Sequence, residues 1–577
     1  MKIALKIILS AAVILFTASC DKNEKETESY IKLSAEKITV SDASGSQSIT
    51  VNSSTSWQAM NSATWCTLTP AEGEAGKTEV TVAFEKNTAK AARTATLTFL
   101  GTTSSSKLTV TQNGTSTEPD PDDGDNDGDD DSKDTHEDAK ANRWVYDELC
   151  EWYLYDTELK GAKPKDFNKD CEEFLSDMLL GLKTNTLDGG TYSDGEKYIY
   201  SYIERYSSST RASYSFDPTY GFDFMCDYAD DYSADLYARV LFVLPDSPAQ
   251  KAGLKRGDKI LKVNGTQMTL YNYEDLMYDY MLYPSSGATL KVTLSDNKSL
   301  SMTAAEIPFT PIVCHKTLSH NGKKVGYLMF NAFESGYASD GSSYEYEDQL
   351  EEIFAAFKSE GISEMVLDLR YNGGGYLSTA QLLGSLIAPV NKLGSIMASL
   401  IYNDNITNKY SEEYLGSKMY FRTSTAGKTV GMQKIYVLAT DMSASASEEV
   451  INALRGIDVE VVHIGTTTEG KNVGMDYFGE TFGAYYYEMW PVTFISANAK
   501  GFYQYENGFA PQYEYDEWND EAWYDLGDER EALLSIALDL IDGKTPKQAT
   551  ATRALPARRL ADRKHYARIS GLRNNMR

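Results

Sequence analysis

Residues 38–40, 48–51, 80–84, 95–99 and 108–111 each alternate apolar and polar positions with period two, with turn-forming residues between them. Short alternating runs at regular spacing predict strands buried on one face, and five of them over 30–114 predict a β-sandwich. The period then changes. Trp144, Val145, Leu149 and Tyr153, and later Phe174, Met178 and Leu179, recur at helical spacing, which predicts a helical segment over 141–212. Strand patterning returns across 213–307. Further on, residues 435–439 read as a buried strand that turns at Asp441 and Met442 and opens a helix carrying Val450, Ile451 and Leu454. A second buried strand follows at 461–465.

The ends of the chain change this picture. Lys2 and Lys6 precede an apolar run over 7–16, followed by Thr17, Ala18, Ser19 and Cys20. A basic start, a short apolar stretch and small residues describe a secretory signal over 1–19, too short to span a bilayer. Because it ends on cysteine it resembles a bacterial lipoprotein signal. That resemblance implies lipidation of Cys20, a tether over 20–29, and anchorage in the cell envelope on the periplasmic or surface side of the outer membrane. Residues 115–140, with Pro119, Pro121 and a dense run of Asp and Gly, read as an acidic linker. Asp123, Asp125, Asp127, Gly128 and Asp134 fall on a calcium-loop template. No amphipathic helix precedes them, however, and the twelfth position is not Glu, so a solvated spacer is the better reading. Residues 544–577 are basic without apolar periodicity and read as a disordered tail.

With 55 Lys plus Arg against 84 Asp plus Glu, the formal charge is -29, which argues against nucleic acid or anionic lipid surfaces as partners. The cysteines beyond Cys20 show no CxxC spacing, so zinc is not expected, and they read as mostly buried free thiols. No cofactor is expected.

Two stretches carry family phrases. Ser56, Trp57, Trp65, Cys66 and the closing Val110, Thr111, Gln112, Asn113 and Gly114 resemble the BACON domain, which implies an immunoglobulin-like spacer or ligand-binding module. Pro248, Ala249, Ala252, Gly253, Leu254, Gly257 and Asp258, followed by Ile260, Leu261, Val263, Asn264 and Gly265, resemble a PDZ domain. Such domains add a peptide strand to a sheet edge and hold its terminal carboxylate on backbone N–H groups. The resemblance puts that loop at Tyr220, Gly221, Phe222, Asp223 and Phe224.

The chemistry is narrowed by what is missing. There are five histidines, and His463 sits inside an apolar run that suits a core position better than a catalytic base. GxSxG and HExxH are both absent. A serine at a helix N-terminus lies beside unpaired N–H groups, yet Ser445 with Glu448 is also an ordinary capping box. The tie is broken by the next strand and its Gly470–Lys471 pair. Ser443, Ala444, Ser445, Ala446, Ser447 and Glu448, with Gly470 and Lys471, resemble the C-terminal processing (tail-specific) peptidases. Asp368, Leu369, Arg370, Asn372, Gly374 and Gly375 match a further element of that family.

The resemblance implies an α/β crotonase-like (ClpP-like) core over 308–543, with Ser445 as nucleophile and Lys471 as its base. It also implies an oxyanion hole from the N–H groups of Gly374 and Ala446, and Glu448 as the family's carboxylate. Four residues past the lysine, where several members carry a glutamine that orients it, this chain has Met475. The expected substrates are unfolded polypeptides with free C-termini. Loss of activity with retention of peptide binding, and adhesion or glycan binding through the BACON-like domain, are the alternatives.

Overall fold

A computed structural model describes residues 30–546, apart from residue 36 and residues 62–64, 88–92, 101–104, 113–134, 184–186, 192–194, 196, 208–217, 230–233, 308–309 and 337–343. The signal, Cys20, most of the acidic linker with its calcium-like spacing, and the basic tail beyond 546 lie outside the described residues. The chain forms two compact units, residues 1–129 and 130–577.

In the first unit, Ile31–Leu33, Gly45–Ser53, Gly76–Phe84 and Cys66–Thr69 make a four-stranded sheet. Lys37–Val40, Ser105–Gln112, Arg93–Leu100, Trp57–Asn61 and Glu72–Gly73 make a five-stranded one. Alternate side chains of both sheets, among them Val51 and Val80 from one and Trp57, Leu97, Phe99 and Val110 from the other, meet in a single core. Each such buried side chain contributes about 1.5–3 kcal/mol, which is why the alternating runs specify this arrangement.

The second unit begins with helices Ala139–Trp152, Asp156–Lys160 and Cys171–Leu180. Asp170 caps the last of these, its carboxylate accepting the N–H groups of Glu172 and Glu173. The helical segment expected to reach residue 212 ends here. Tyr202–Ser207 is instead a strand, paired antiparallel with Tyr485–Trp490. Its aromatic and β-branched residues are satisfied by a partner far along the chain, a long-range pairing that overrides local period.

Residues 222–303 hold an antiparallel sheet in which Phe222–Tyr228 is one edge strand and Ser299–Thr303 the other. The helix Pro248–Ala252 is capped by Ser247 and stopped by Gly253 at φ 87°. Asn264 and Gly265, both at positive φ, turn the hairpin between Lys259–Val263 and Thr266–Gln267.

The largest part of the second unit is built on a six-stranded sheet. Ile312–His320 pairs antiparallel with Lys323–Phe330, and then Glu364–Asp368, Lys434–Ala439, Glu460–Gly465 and Tyr513–Glu514 run parallel. Alternate residues divide between its faces. Leu328 and Phe330 pack with helices Glu345–Glu360, Leu377–Ile387 and Ala446–Gly456. Tyr327 and Met329 pack with helix Ala532–Ile541 and with Leu241 and Phe242 of the preceding antiparallel sheet and Leu244 just after it. Covering both faces is what a parallel sheet requires.

A buried charge network reinforces that second face. Arg256 donates to Leu241 O at 2.6 Å, Tyr371 Oη at 2.7 Å and Glu517 Oε2 at 2.7 Å. Arg370 donates to Asp368, Glu517 and Glu531. Each of the five charges is nine-tenths buried or more and is paired, the condition under which burial is tolerated. The five cysteines among the described residues are free thiols.

Candidate active site

Three loops leave the carboxyl ends of three adjacent parallel strands. They are the glycine turn 372–375 after Glu364–Asp368, the serine turn 440–445 after Lys434–Ala439, and the loop 466–472 after Glu460–Gly465. In open α/β sheets this end of the strands is where reactive groups converge.

The three serines of the middle loop and the first turn of the helix after it have different employments. Ser443 Oγ donates to Leu369 O at 2.8 Å, and Ser447 Oγ donates to Asn372 O at 2.8 Å; both are fully buried and tie their loop to the neighbouring strand and turn. Ser445 is half-buried and precedes helix Ala446–Gly456 at φ 55°, ψ -113°. A serine held at positive φ is uncommon and costs about 1–3 kcal/mol, so the surrounding bonds must enforce it. Of the three serines, Ser445 alone combines partial exposure with a strained backbone.

Glu448 supplies that enforcement. Its Oε1 accepts Thr468 Oγ1 at 2.6 Å and the Gly470 N–H at 2.8 Å. Its Oε2 accepts the Ser445 N–H at 3.0 Å and the Lys471 N–H at 2.9 Å. One carboxylate oxygen thus holds the backbones of both expected catalytic residues, and those nitrogens can be no farther apart than two hydrogen bonds laid end to end. Burial pushes the Glu448 carboxyl up to about 7, against the four donors, which pull it down. Gly470 is at φ 94°, and a Cβ there would lie 2.4 Å from Glu506 O, so only glycine fits beside the lysine.

The glycine turn touches the serine directly. A Cβ on Gly374, at φ 110°, would lie 2.8 Å from Ser445 Cβ and 3.3 Å from the Ala446 nitrogen. The Gly374 N–H, expected to face an oxyanion, donates to Asn372 Oδ1 at 2.9 Å, so in this conformation its own turn engages it. Ala446 is the first residue of its helix, one of the positions whose N–H has no intrahelical acceptor.

Lys471 Nζ lies over the ring of Tyr200, 4.8 Å from its centroid. Met475, at the place where a glutamine was the family expectation, packs with the hydrophobic cluster of the helical segment instead. His463 is fully buried, has Nε2 3.1 Å from Ala439 O, and is pushed down to about 4 by burial, which fits a core histidine.

The expected carboxylate-binding loop is covered. Tyr220, Phe222, Asp223 and Phe224 are buried, and the Gly221 N–H donates to Thr219 Oγ1 at 3.1 Å. The edge strand that begins there bulges at Asp223 and Phe224.

Tyr200, Glu469 and Thr468 were not singled out from sequence as parts of this constellation, and Asn372 was read only within the glycine element, without a role of its own. Tyr200 lies far from any motif, and only the fold brings it to the lysine. Thr468 stood beside the Gly470–Lys471 pair as a visible but unread signal.

Residues 324–480 match the model described as Peptidase family S41, residues 239–277 the PDZ domain and residues 55–113 the BACON binding domain. A carboxy-terminal processing protease, CtpB, of Bacillus subtilis (strain 168) is 28% identical over 241 residues, covering 40% of this chain and 44% of that protein. A carboxyl-terminal-processing protease of Picosynechococcus sp. is 26% identical over 250 residues, covering 42% of this chain and 53% of that protein. The chain therefore spans about half the length of these relatives. A crystal structure from Bacteroides fragilis NCTC 9343, described as an S41 protease, is 28% identical with a TM-score of 0.56. It covers 70% of this chain and 98% of that one.

Proposed function

We propose that this chain, which carries S41, PDZ and BACON regions, is a serine peptidase that hydrolyses polypeptides through an acyl-enzyme on Ser445. The observation that carries the reading is the single Glu448 carboxylate bonded to the backbone of both Ser445 and Lys471.

In this mechanism the Lys471 amine takes the Ser445 proton as Oγ attacks the peptide carbonyl. It then delivers that proton to the departing amine, and water attacks the ester by the same route in reverse. Free lysine titrates at about 10.4, so the base must be neutral in the working site, which an apolar surrounding favours. The oxyanion is received by the Ala446 N–H and by the glycine turn once Gly374 N–H leaves Asn372. Glu448 acts as a positioning residue.

The substrate reading is a chain with a free C-terminus, added as a strand beside Phe222–Tyr228, whose edge position supports it. The two-sheet N-terminal unit is read as an immunoglobulin-like spacer. Cys20 is read as a lipid anchor to the cell envelope, on the strength of the basic and apolar residues before it.

The test is hydrolysis of an unstructured polypeptide with a free C-terminus and of the same chain amidated. Cleavage by wild type, absent in Ser445→Ala and Lys471→Ala and slower on the amidated chain, is expected. Equal cleavage by wild type and Ser445→Ala refutes the reading.

A further inference from the structure

The structure assigns to Tyr200, from the segment before the PDZ region, the task of seating and tuning the Lys471 amine. This inference rests on the reading of Lys471 as the base.

The ring is itself rigidly held. The Tyr200 N–H donates to Asp188 Oδ1 at 2.8 Å. The same carboxylate accepts the Ser201 N–H at 2.9 Å, Ser201 Oγ at 2.6 Å and Tyr153 Oη at 2.7 Å. At the other end the Tyr200 hydroxyl donates to Glu469 Oε1 at 2.9 Å, and the Tyr198 hydroxyl joins it there at 3.0 Å. The Glu469 N–H in turn donates to Ser443 O at 3.0 Å, on the serine loop. The ring under the ammonium is thus fastened on one side to the helical segment and on the other to the nucleophile's own loop. Burial keeps the Tyr200 phenol neutral and a donor. With Met475 withdrawn into the hydrophobic cluster, Tyr200 occupies the orienting role.

The direction of its effect follows from electrostatics. An aromatic face stabilises a cation, so Tyr200 favours protonated Lys471. In the transition state the lysine is gaining the Ser445 proton, so the same contact stabilises the charge that forms there. Glu469 acts in the same sense, and the buried Glu448 carboxylate lies against the lysine's backbone. From the remaining side, Tyr503 O accepts Asn472 Nδ2 and Glu506 O approaches Gly470. Tyr505 is buried near Glu448.

Loss of the ring has a two-part signature. The lysine becomes a weaker base by roughly half a unit to one and a half units, the span of cation–π energies, and the plateau rate falls. A purely structural role would lower the plateau alone.

The experiment uses full-length protein in wild type, Tyr200→Leu and Tyr200→Phe. Each is followed by pH–rate profiles on the polypeptide substrate and by NMR titration of reductively methylated lysines, with Lys471→Arg identifying the resonance. Glu448 titrates at about 7 and adds its own acid limb, so the NMR titration follows the lysine directly. Tyr200→Leu should titrate lower and turn over more slowly, while Tyr200→Phe, which keeps the ring, should shift by less than the roughly half a unit that is the smallest effect of losing the ring. An unchanged or raised Lys471 titration in Tyr200→Leu overturns the assignment. Activity that is independent of Lys471 would instead sink the peptidase reading, and the NMR arm would still report on the contact.

Discussion

Replacing Glu448 by glutamine tests the staple at the centre of the site. The carboxylate accepts four hydrogen bonds, two on each oxygen. Glutamine keeps one oxygen and turns an NH2 toward the other two donors. Each buried donor left without an acceptor costs about 1–3 kcal/mol, so the gross loss is about 2–6 kcal/mol. Against this, the carboxyl is raised from its usual 4.5 to about 7. The wild type therefore carries a charge-burial cost of about 3 kcal/mol above pH 7, which the amide does not. The two effects offset, leaving a net change between about 1 kcal/mol of stabilisation and about 3 kcal/mol of destabilisation. Activity has no such offset. Freeing one loop by about 1.4–2.7 kcal/mol of lost restraint lowers kcat/KM by about 10- to 100-fold. Urea denaturation and peptide hydrolysis at pH 8 measure both. A Glu448→Gln enzyme with unchanged kcat/KM would refute the staple.

Protonating Glu448 puts a hydrogen among four donors, so activity should decline as pH falls through about 7, read from kcat/KM. For stability the sign is opposite. Glu334, Glu448 and Glu449, raised to about 8, 7 and 7 by burial, bind protons more tightly folded than unfolded. Their contribution is complete below about 4.5 and is lost as pH rises to about 8, so urea midpoints should show that component declining across the window. Gly374→Ala puts a methyl against Ser445 at a φ that side chains rarely adopt, and kcat should fall about 10²- to 10³-fold, with KM less affected. Arg256→Met leaves Glu517 and Glu531 short of a cation, and thermal or urea unfolding should show a loss of about 3–5 kcal/mol.

Much of this site was readable from local pattern because its parts obey local rules. The strand before the serine turn is a continuous apolar run, the helix after it opens on Ser445 and Glu448, and Gly470 stands where no side chain fits. The choice among three serines was carried only by resemblance. The structure gives the physical ground: Ser443 and Ser447 spend their hydroxyls on Leu369 and Asn372, while Ser445 alone is strained. Glu448 was legible as a cap but not as an acceptor for Lys471, because that bond crosses between strands. Tyr200 and the strand Tyr202–Ser207 were hidden for the same reason: their partners lie 269 residues or more away in sequence. The engagement of Gly374 by Asn372 depends on a side-chain rotamer, which no spacing encodes.

The central claim, that residue 445 is made nucleophilic by residue 471, is tested most directly by trapping the acyl-enzyme. Protein incubated with a β-lactone acylating probe at pH 8 is digested and the adduct located by mass spectrometry. A single adduct on Ser445 in wild type, at least 100-fold slower to form in Lys471→Ala, a difference of about 2.7 kcal/mol in barrier, is the predicted result. Labelling of another residue, or equal labelling rates in the two proteins, would contradict it.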